Sequence, residues 1–323
     1  MIVTRTPLRI SLFGGGTDVD SFYRHFGGAV LSFAINKYIY VSVNDKFDGR
    51  TRVSYSVTEN VDDPKELKHD IVRETLNFYN LRGLEIVSVS DIPGNGTGLG
   101  SSSSFAVGLM AALSARTRSG VPYCRSMLAE TAYTIEANLC GHPCGKQDQY
   151  AASYGGFHYY GFNQDGTVQV QPVEFPEEMQ RHLMLFWTGI SRSANEILEA
   201  QKSRLKASNE SAIKAGKDML NLTDYMVEQF EKRDYSNLGK MMHLSWKTKK
   251  SLNPAASNKE IDLLYAKAIN AGAIGGKLCG AGGGGFFLFV VPPEKQDGLR
   301  EALKLRQVPF KIEPEGSKVI YYG

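Results

Sequence analysis

Between Asp91 and Ser104 the chain carries four glycines and four serines. Phe105, Val107, Leu109, Met110 and Leu113 follow, an apolar set suited to a buried helix. A glycine loop that feeds a helix is a natural seat for a phosphate. Bare backbone can approach a bulky anion, the first helical amides lack intrahelical partners, and the positive end of the helix dipole faces the same point. The serine hydroxyls add donors, or ligands for a hard cation. No Gly-x-Gly-x-x-Gly register survives across residues 94–100, and no Gly-Lys-Ser/Thr ending follows, so neither the dinucleotide fingerprint nor the Walker loop is present.

Two acids and one arginine are the other candidates for chemistry. Asp148 lies in the segment Cys144-Gly145-Lys146-Gln147-Asp148-Gln149-Tyr150, Glu136 stands upstream of it, and Arg9 is near the amino terminus. Taken singly, each has a bland reading as a surface charge or an ion-pair partner. Asp18, after the turn Gly14-Gly15-Gly16-Thr17, could cap a helix starting near Val19. The glycines of the run Gly280 to Gly285, beside an apolar strand, suggest close backbone approach to another group. Cys140, His142 and Cys144 match no zinc-finger spacing, and we read the four cysteines as free thiols.

The elements that must hold these residues can be read from pattern. Strands are predicted over Ile2–Ser11, Ala29–Phe33, Tyr38–Val43 and Leu84–Val89, with a helix from about Pro64 to Tyr79. Helices from Cys124 to about Leu139 and from Gly145 to about Ser153 precede a strand pair within Phe157–Val170. The second half opens with a strand at Leu183–Trp187 and runs through long helices from about Ala194 to Ser251. After a break at Asn253-Pro254 comes another helix, then the strand Phe286–Val291, a short helix after Pro293 and strands around Pro309 and Ile320. This is an α+β pattern, divided into units 1–178 and 179–323 with a cleft between them.

With 323 residues, 42% of them hydrophobic and 22% charged, the chain has the composition of a globular enzyme. A net charge of +3 without a basic tract argues against a nucleic-acid partner. No apolar run approaches the roughly 20 residues of a membrane span, so a cytoplasmic protein without a membrane partner is expected, as monomer or homodimer.

Three segments together carry a resemblance. Gly98-Leu99-Gly100-Ser101-Ser102 resembles the central motif of the GHMP kinases, the family of galactokinase, homoserine kinase and mevalonate kinase. Thr6-Pro7-Leu8-Arg9-Ile10 with Gly14-Gly15-Gly16-Thr17-Asp18 is similar to the family's first motif, and Lys277-Leu278-Cys279-Gly280 through Gly285 to its third. One departure is that four residues separate Pro93 from Gly98, one more than the usual pattern. The resemblance implies a two-lobed fold, with an N-terminal lobe like ribosomal protein S5 domain 2 and a ferredoxin-like α/β sandwich as C-terminal lobe.

It also implies roles. ATP would lie on Gly96, Gly98, Leu99, Gly100, Ser101, Ser102 and Ser103, with Mg2+ held by Ser101 and Glu136. Asp148 would accept the proton of the attacking hydroxyl, with Arg9 alongside, and Gly15, Asp18, Arg192 and Gly282 would contact the acceptor. Within the family, these motifs together with Thr188-Gly189-Ile190-Ser191-Arg192-Ser193-Ala194 most resemble the branch that phosphorylates D-glycero-D-manno-heptose 7-phosphate at its anomeric hydroxyl, towards GDP-heptose. Kinases of an unphosphorylated fucose, galactose or arabinose, and a catalytically idle sugar sensor, are the alternatives. Arg192 is the preferred cation for the acceptor's phosphate. Lys247, Lys249 and Lys250, with Arg24 and Lys37 behind them, are further candidates, although the three lysines read more readily as a solvated helix face.

Overall fold

In the computed structural model residues 1–92, 96–117, 124–191 and 194–323 are described. Arg192, and Pro93 to Asn95 of the glycine loop, therefore lie outside the described residues.

The strands are β1 (Ile2–Phe13), β2 (Gly28–Asp45), β3 (Thr51–Ser54), β4 (Thr58–Val61), β5 (Leu84–Ser90), β6 (Phe157–Phe162), β7 (Val168–Pro172), β8 (Leu183–Trp187), β9 (Gly275–Leu278), β10 (Phe286–Val290), β11 (Arg306–Gln307) and β12 (Lys318–Tyr322). They form two sheets. The first has the order β12-β1-β2-β5-β3-β4, with β6 on β2 and β7 on β6, and only its β3–β5 pair is parallel. The second is antiparallel, in the order β11-β8-β10-β9.

Residues 29–33 and 38–43, expected as two strands, are one strand in β2. Pro7 is paired with Tyr38 but Leu8 with Ile35, so Asn36 and Lys37 bulge out of the ladder opposite a proline, which has no N–H to give it. The helix expected over 64–79 is two pieces: a 3-10 turn, Pro64–Glu66, capped by Asp63, and a helix, Asp70–Phe78. No regular strand forms at Pro309. Ile312 makes an isolated bridge to Ile35 instead.

The helices in chain order are α1 (Asp20–Phe26), α2 (Asp70–Phe78), α3 (Ser101–Arg116), α4 (Arg125–Tyr133), α5 (Gln147–Tyr154), α6 (Glu177–Gln180), α7 (Ala194–Lys206), α8 (Glu210–Glu231), α9 (Leu238–Leu252), α10 (Lys259–Asn270) and α11 (Gln296–Leu303). The first sheet has both faces covered. Alternation sends Val30, Tyr160 and Phe162 to Tyr150 and Ala151 of α5, while Leu31, Phe33 and Phe157 face the other side, where Phe230 of α8 packs on Phe157. In the second sheet the same alternation divides two cores. Met184, Phe186, Phe287 and Phe289 turn to Trp246 and Tyr265, whereas Leu183, Leu185, Phe286, Leu288 and Val290 join the core of the first sheet. Near-continuous apolar strands are what such two-sided burial requires.

The first sheet is not confined to residues 1–178, because β12 returns from the end of the chain to pair with β1. Among the described residues, no helix is long and apolar enough to cross a membrane.

Candidate active site

Helix α3 lies against β1 and is fixed there by hydroxyls. Ser104 Oγ donates to the Pro7 carbonyl at 2.8 Å and Thr4 Oγ1 to the Gly108 carbonyl at 2.9 Å. Its first turn is thereby aimed into a cleft of about 1030 Å³ between the sheets. In the loop before it, Gly96, Gly98 and Gly100 have φ of 69°, 75° and 76°, alternating with Thr97 and Leu99. Such alternation turns successive amides to one side, the geometry of an anion nest. The N-cap is Gly100, so no side chain occupies the free amides of the first turn.

Arg9 comes from β1, and Asp148 from the first turn of α5. The two meet in a fork: Nε donates to Oδ1 and Nη2 to Oδ2, both at 2.7 Å. The third guanidinium nitrogen donates to the Gly98 carbonyl at 2.6 Å, and the Arg9 amide to the Leu99 carbonyl at 3.0 Å. One arginine thus joins the acid to the glycine loop. A Cβ on Gly100 would stand 3.3 Å from Asp148 Oδ2, so a side chain here would crowd the carboxylate.

Asp18 is buried, and it does not cap the helix that follows it, whose N-cap is Val19. Its carboxylate instead accepts from the Gly16 amide at 2.9 Å and from the Gln147 amide and side chain, both at 3.2 Å. It therefore seats the amino end of α5 and with it Asp148. Burial, followed by the charge of Asp148, pushes the Asp18 carboxyl above its ordinary range. Gly15 lines the cleft between Ser11 and Gln147. Ser11 and Gln147 line this end of the cleft, and Ser11 Oγ and Gln147 Oε1 are buried there without a protein partner among the described residues.

Glu136 lies in a π-helical turn, Thr134–Leu139, that continues α4; such turns are frequent at functional sites. Its Oε1 accepts from Ser102 Oγ at 2.6 Å and its Oε2 from Gln149 Nε2 at 2.7 Å. Burial raises its pKa, opposed by the bonds from Ser102, Ser103 and Gln149. Ser101, expected beside it, turns instead to Thr97 Oγ1 at 3.3 Å, because adjacent residues of a helix point in different directions.

The remaining expected positions are distributed unevenly. Gly96, Gly98, Gly100, Ser101, Ser102 and Ser103 line the cleft. Leu99 points into the core and meets the site through its backbone alone. Gly282 packs behind the wall on Ala256, where a Cβ would be 2.5 Å from a carbonyl oxygen, and the cleft surface there is Gly280 and Ala281. Lys247 is exposed and Lys250 pairs with Asp262 at 2.9 Å, but Lys249 is buried in the cleft wall, which corrects the solvated-face reading for that residue. Asp70, Cys140 and His142 bring ligand atoms within 4.8 Å of one another; Asp70, on α2 and far away in sequence, stands in this group where the sequence suggested Cys144.

Residues 67–156 match the GHMP kinases N terminal domain and residues 226–307 the GHMP kinases C terminal domain. A D-glycero-alpha-D-manno-heptose 7-phosphate kinase of Campylobacter jejuni is 32% identical, with 98% of each chain covered. The chain belongs to the GHMP kinases. A galactokinase of Pyrococcus furiosus is 26% identical over 94% of this chain and 92% of its own. In structure, a D-glycero-D-manno-heptose 1-phosphate kinase from Bacteroides thetaiotaomicron superposes with a TM-score of 0.80 at 25% identity, with both chains fully covered. The two sheets with their helices form the two-domain GHMP architecture, and the cleft between them is where its three motifs meet. A Cβ on Gly98 would be 2.4 Å from the Cys279 carbonyl oxygen, so the second and third motifs of this GHMP kinase are in backbone contact.

Proposed function

We propose that the protein transfers the terminal phosphoryl group of ATP to the anomeric hydroxyl of a heptose 7-phosphate. The observation that carries this is the Arg9–Asp148 fork, set between a phosphate-seating loop and a cleft end with unpaired polar atoms. Asp148 is placed to take the proton of an acceptor hydroxyl, Arg9 fixes its orientation, and the amides of Gly96 to Ser103 hold the nucleotide phosphates. An anomeric hydroxyl is more acidic than an ordinary alcohol, which suits a carboxylate base.

GHMP kinases use ATP, generally with a divalent metal. The hydroxyl and carboxylate oxygens of Ser102 and Glu136, already in contact, form a hard donor set that fits Mg2+, and we assign its ligation to this pair in place of Ser101 and Glu136. Bound there, the ion would neutralise phosphate charge. ATP as co-substrate and the free cysteines support a cytoplasmic location.

The names of the two heptose kinases similar to this chain differ in the position of the acceptor's phosphate, seven in one and one in the other. The anomeric reading follows the first. The test is Mg-ATP consumption with D-glycero-D-manno-heptose 7-phosphate, the 1-phosphate, the free heptose, fucose, galactose and arabinose in parallel, with phosphorus spectra of the products. Turnover of the 7-phosphate with a new anomeric phosphate signal is expected. Preference for the 1-phosphate or a neutral sugar would discard the regiochemistry and keep the kinase, and ATP binding without turnover of any would favour a sensor.

A further inference from the structure

The second lobe buries two lysine amino groups beside the reaction centre. Lys249 on α9 is 7% exposed and lines the cleft with Arg9, Asp18, Asp148 and Gly280. Lys277 on β9 is 2% exposed and donates to the Leu12 carbonyl at 3.1 Å. Among the described residues, neither has a carboxylate within 4.0 Å. A buried ammonium without a counter-ion is expensive unless the site has an anion to meet.

The position of Lys249 indicates which anion. Its ammonium donates to the Gly280 carbonyl. A Cβ on Gly280 would stand 2.3 Å from the Gly98 Cα, so the two loops touch there, and Arg9 Nη1 holds the Gly98 carbonyl from the first lobe. Lys249 and Arg9 therefore grip the meeting point of the two loops from opposite lobes. On the kinase reading, a phosphoryl group carried from the glycine loop to a hydroxyl beside Asp148 would cross the part of the cleft that Arg9, Asp148, Lys249 and Gly280 line.

Resting on the kinase reading above, we propose that Lys249 is a further catalytic residue that contacts the phosphoryl group in transit from nucleotide to acceptor. The bond from the terminal phosphorus of ATP to its β,γ-bridging oxygen breaks and the electron pair leaves with ADP, a bond to the acceptor oxygen forms, and the acceptor's proton goes to Asp148. Lys249 exchanges no proton and neutralises charge on the transferring oxygens. Burial lowers its pKa to about 8, and Arg9 adds to this against Cys279, Asp18 and Asp148, so the ammonium is weakly solvated and responsive to an added anion.

The test is calorimetric binding of Mg-ATP and Mg-ADP to the full chain, wild type and with Lys249→Met or Lys249→Arg. We expect Lys249→Met to lose about tenfold in ATP affinity while ADP stays within about twofold, with Lys249→Arg intermediate. Turnover of the accepted sugar should fall by about a hundredfold in Lys249→Met with its KM little changed. The melting temperature of Lys249→Met should hold or rise, since a buried charge is replaced by a side chain of similar shape; a merely structural tether to Gly280 would lower it. Equal losses for ATP and ADP, or an intact preference for ATP with a raised KM confined to a phosphorylated acceptor, would overturn the proposal. Wild-type protein that binds neither nucleotide would overturn the kinase reading itself.

Discussion

Both oxygens of Asp148 are claimed by one guanidinium, which in turn holds the glycine loop. An amide in its place could keep part of this fork but would be a poor proton acceptor. Asp148→Asn is therefore expected to bind ATP within about twofold of wild type and to lose about a hundredfold or more in turnover, read by single-turnover kinetics. At this scale the sequence was partly transparent. Arg9, Asp148 and the serines stand inside recognisable motifs. Lys249 reads as solvated because exposed Lys247 and half-buried Lys250 flank it, yet the helical period places it with Met242, Ser245, Trp246 and Leu252 on the buried face of α9. Glu136 rests on the family resemblance alone, and its contact with Ser102 in place of Ser101 depends on the rotation of two helices, which no local pattern encodes.

Among the elements, the glycine loops decide how close the two lobes come. Gly98 faces Cys279 with no room for a side chain, and its φ of 75° is itself unfavourable for alanine. Gly98→Ala is expected to part the two loops, with a stability loss of about 1–3 kcal/mol by urea melting and a larger loss of turnover than of ATP affinity. Loop, helix and apolar strands were legible because glycine, serine and continuous valine, leucine and phenylalanine runs report on local backbone and burial. The union of residues 28–45 into one strand was not, since the bulge at Asn36 and Lys37 is set by Pro7 on a neighbouring strand. Nor was the π-helical turn at Glu136, for which composition carries no signal.

For the molecule as a whole, the lobes share a core and are tied by Lys277, which reaches from β9 to a carbonyl of β1. Burial, then the charge of Lys249, lowers the Lys277 pKa from 10.5 to about 7. Between these values the unfolded chain binds a proton that the native protein does not, so this contribution to stability grows as pH rises through the window and is lost as pH falls through about 7. Lys277→Met should flatten the rise of unfolding free energy between pH 8 and 10, by at most about 1.4 kcal/mol per pH unit, in urea melts across that range. The two-lobed layout could be read from the order of elements, whereas the return of β12 could not, because strand pairing over such separation leaves no mark on either partner.

That return shapes how the protein is made. β1 leaves the ribosome before the second lobe and β12 after it, yet Ile2 and Tyr322 are neighbours in one ladder. The nascent first lobe must therefore wait with an unpaired edge through the synthesis of the entire second lobe, exposed to whatever other strand arrives first.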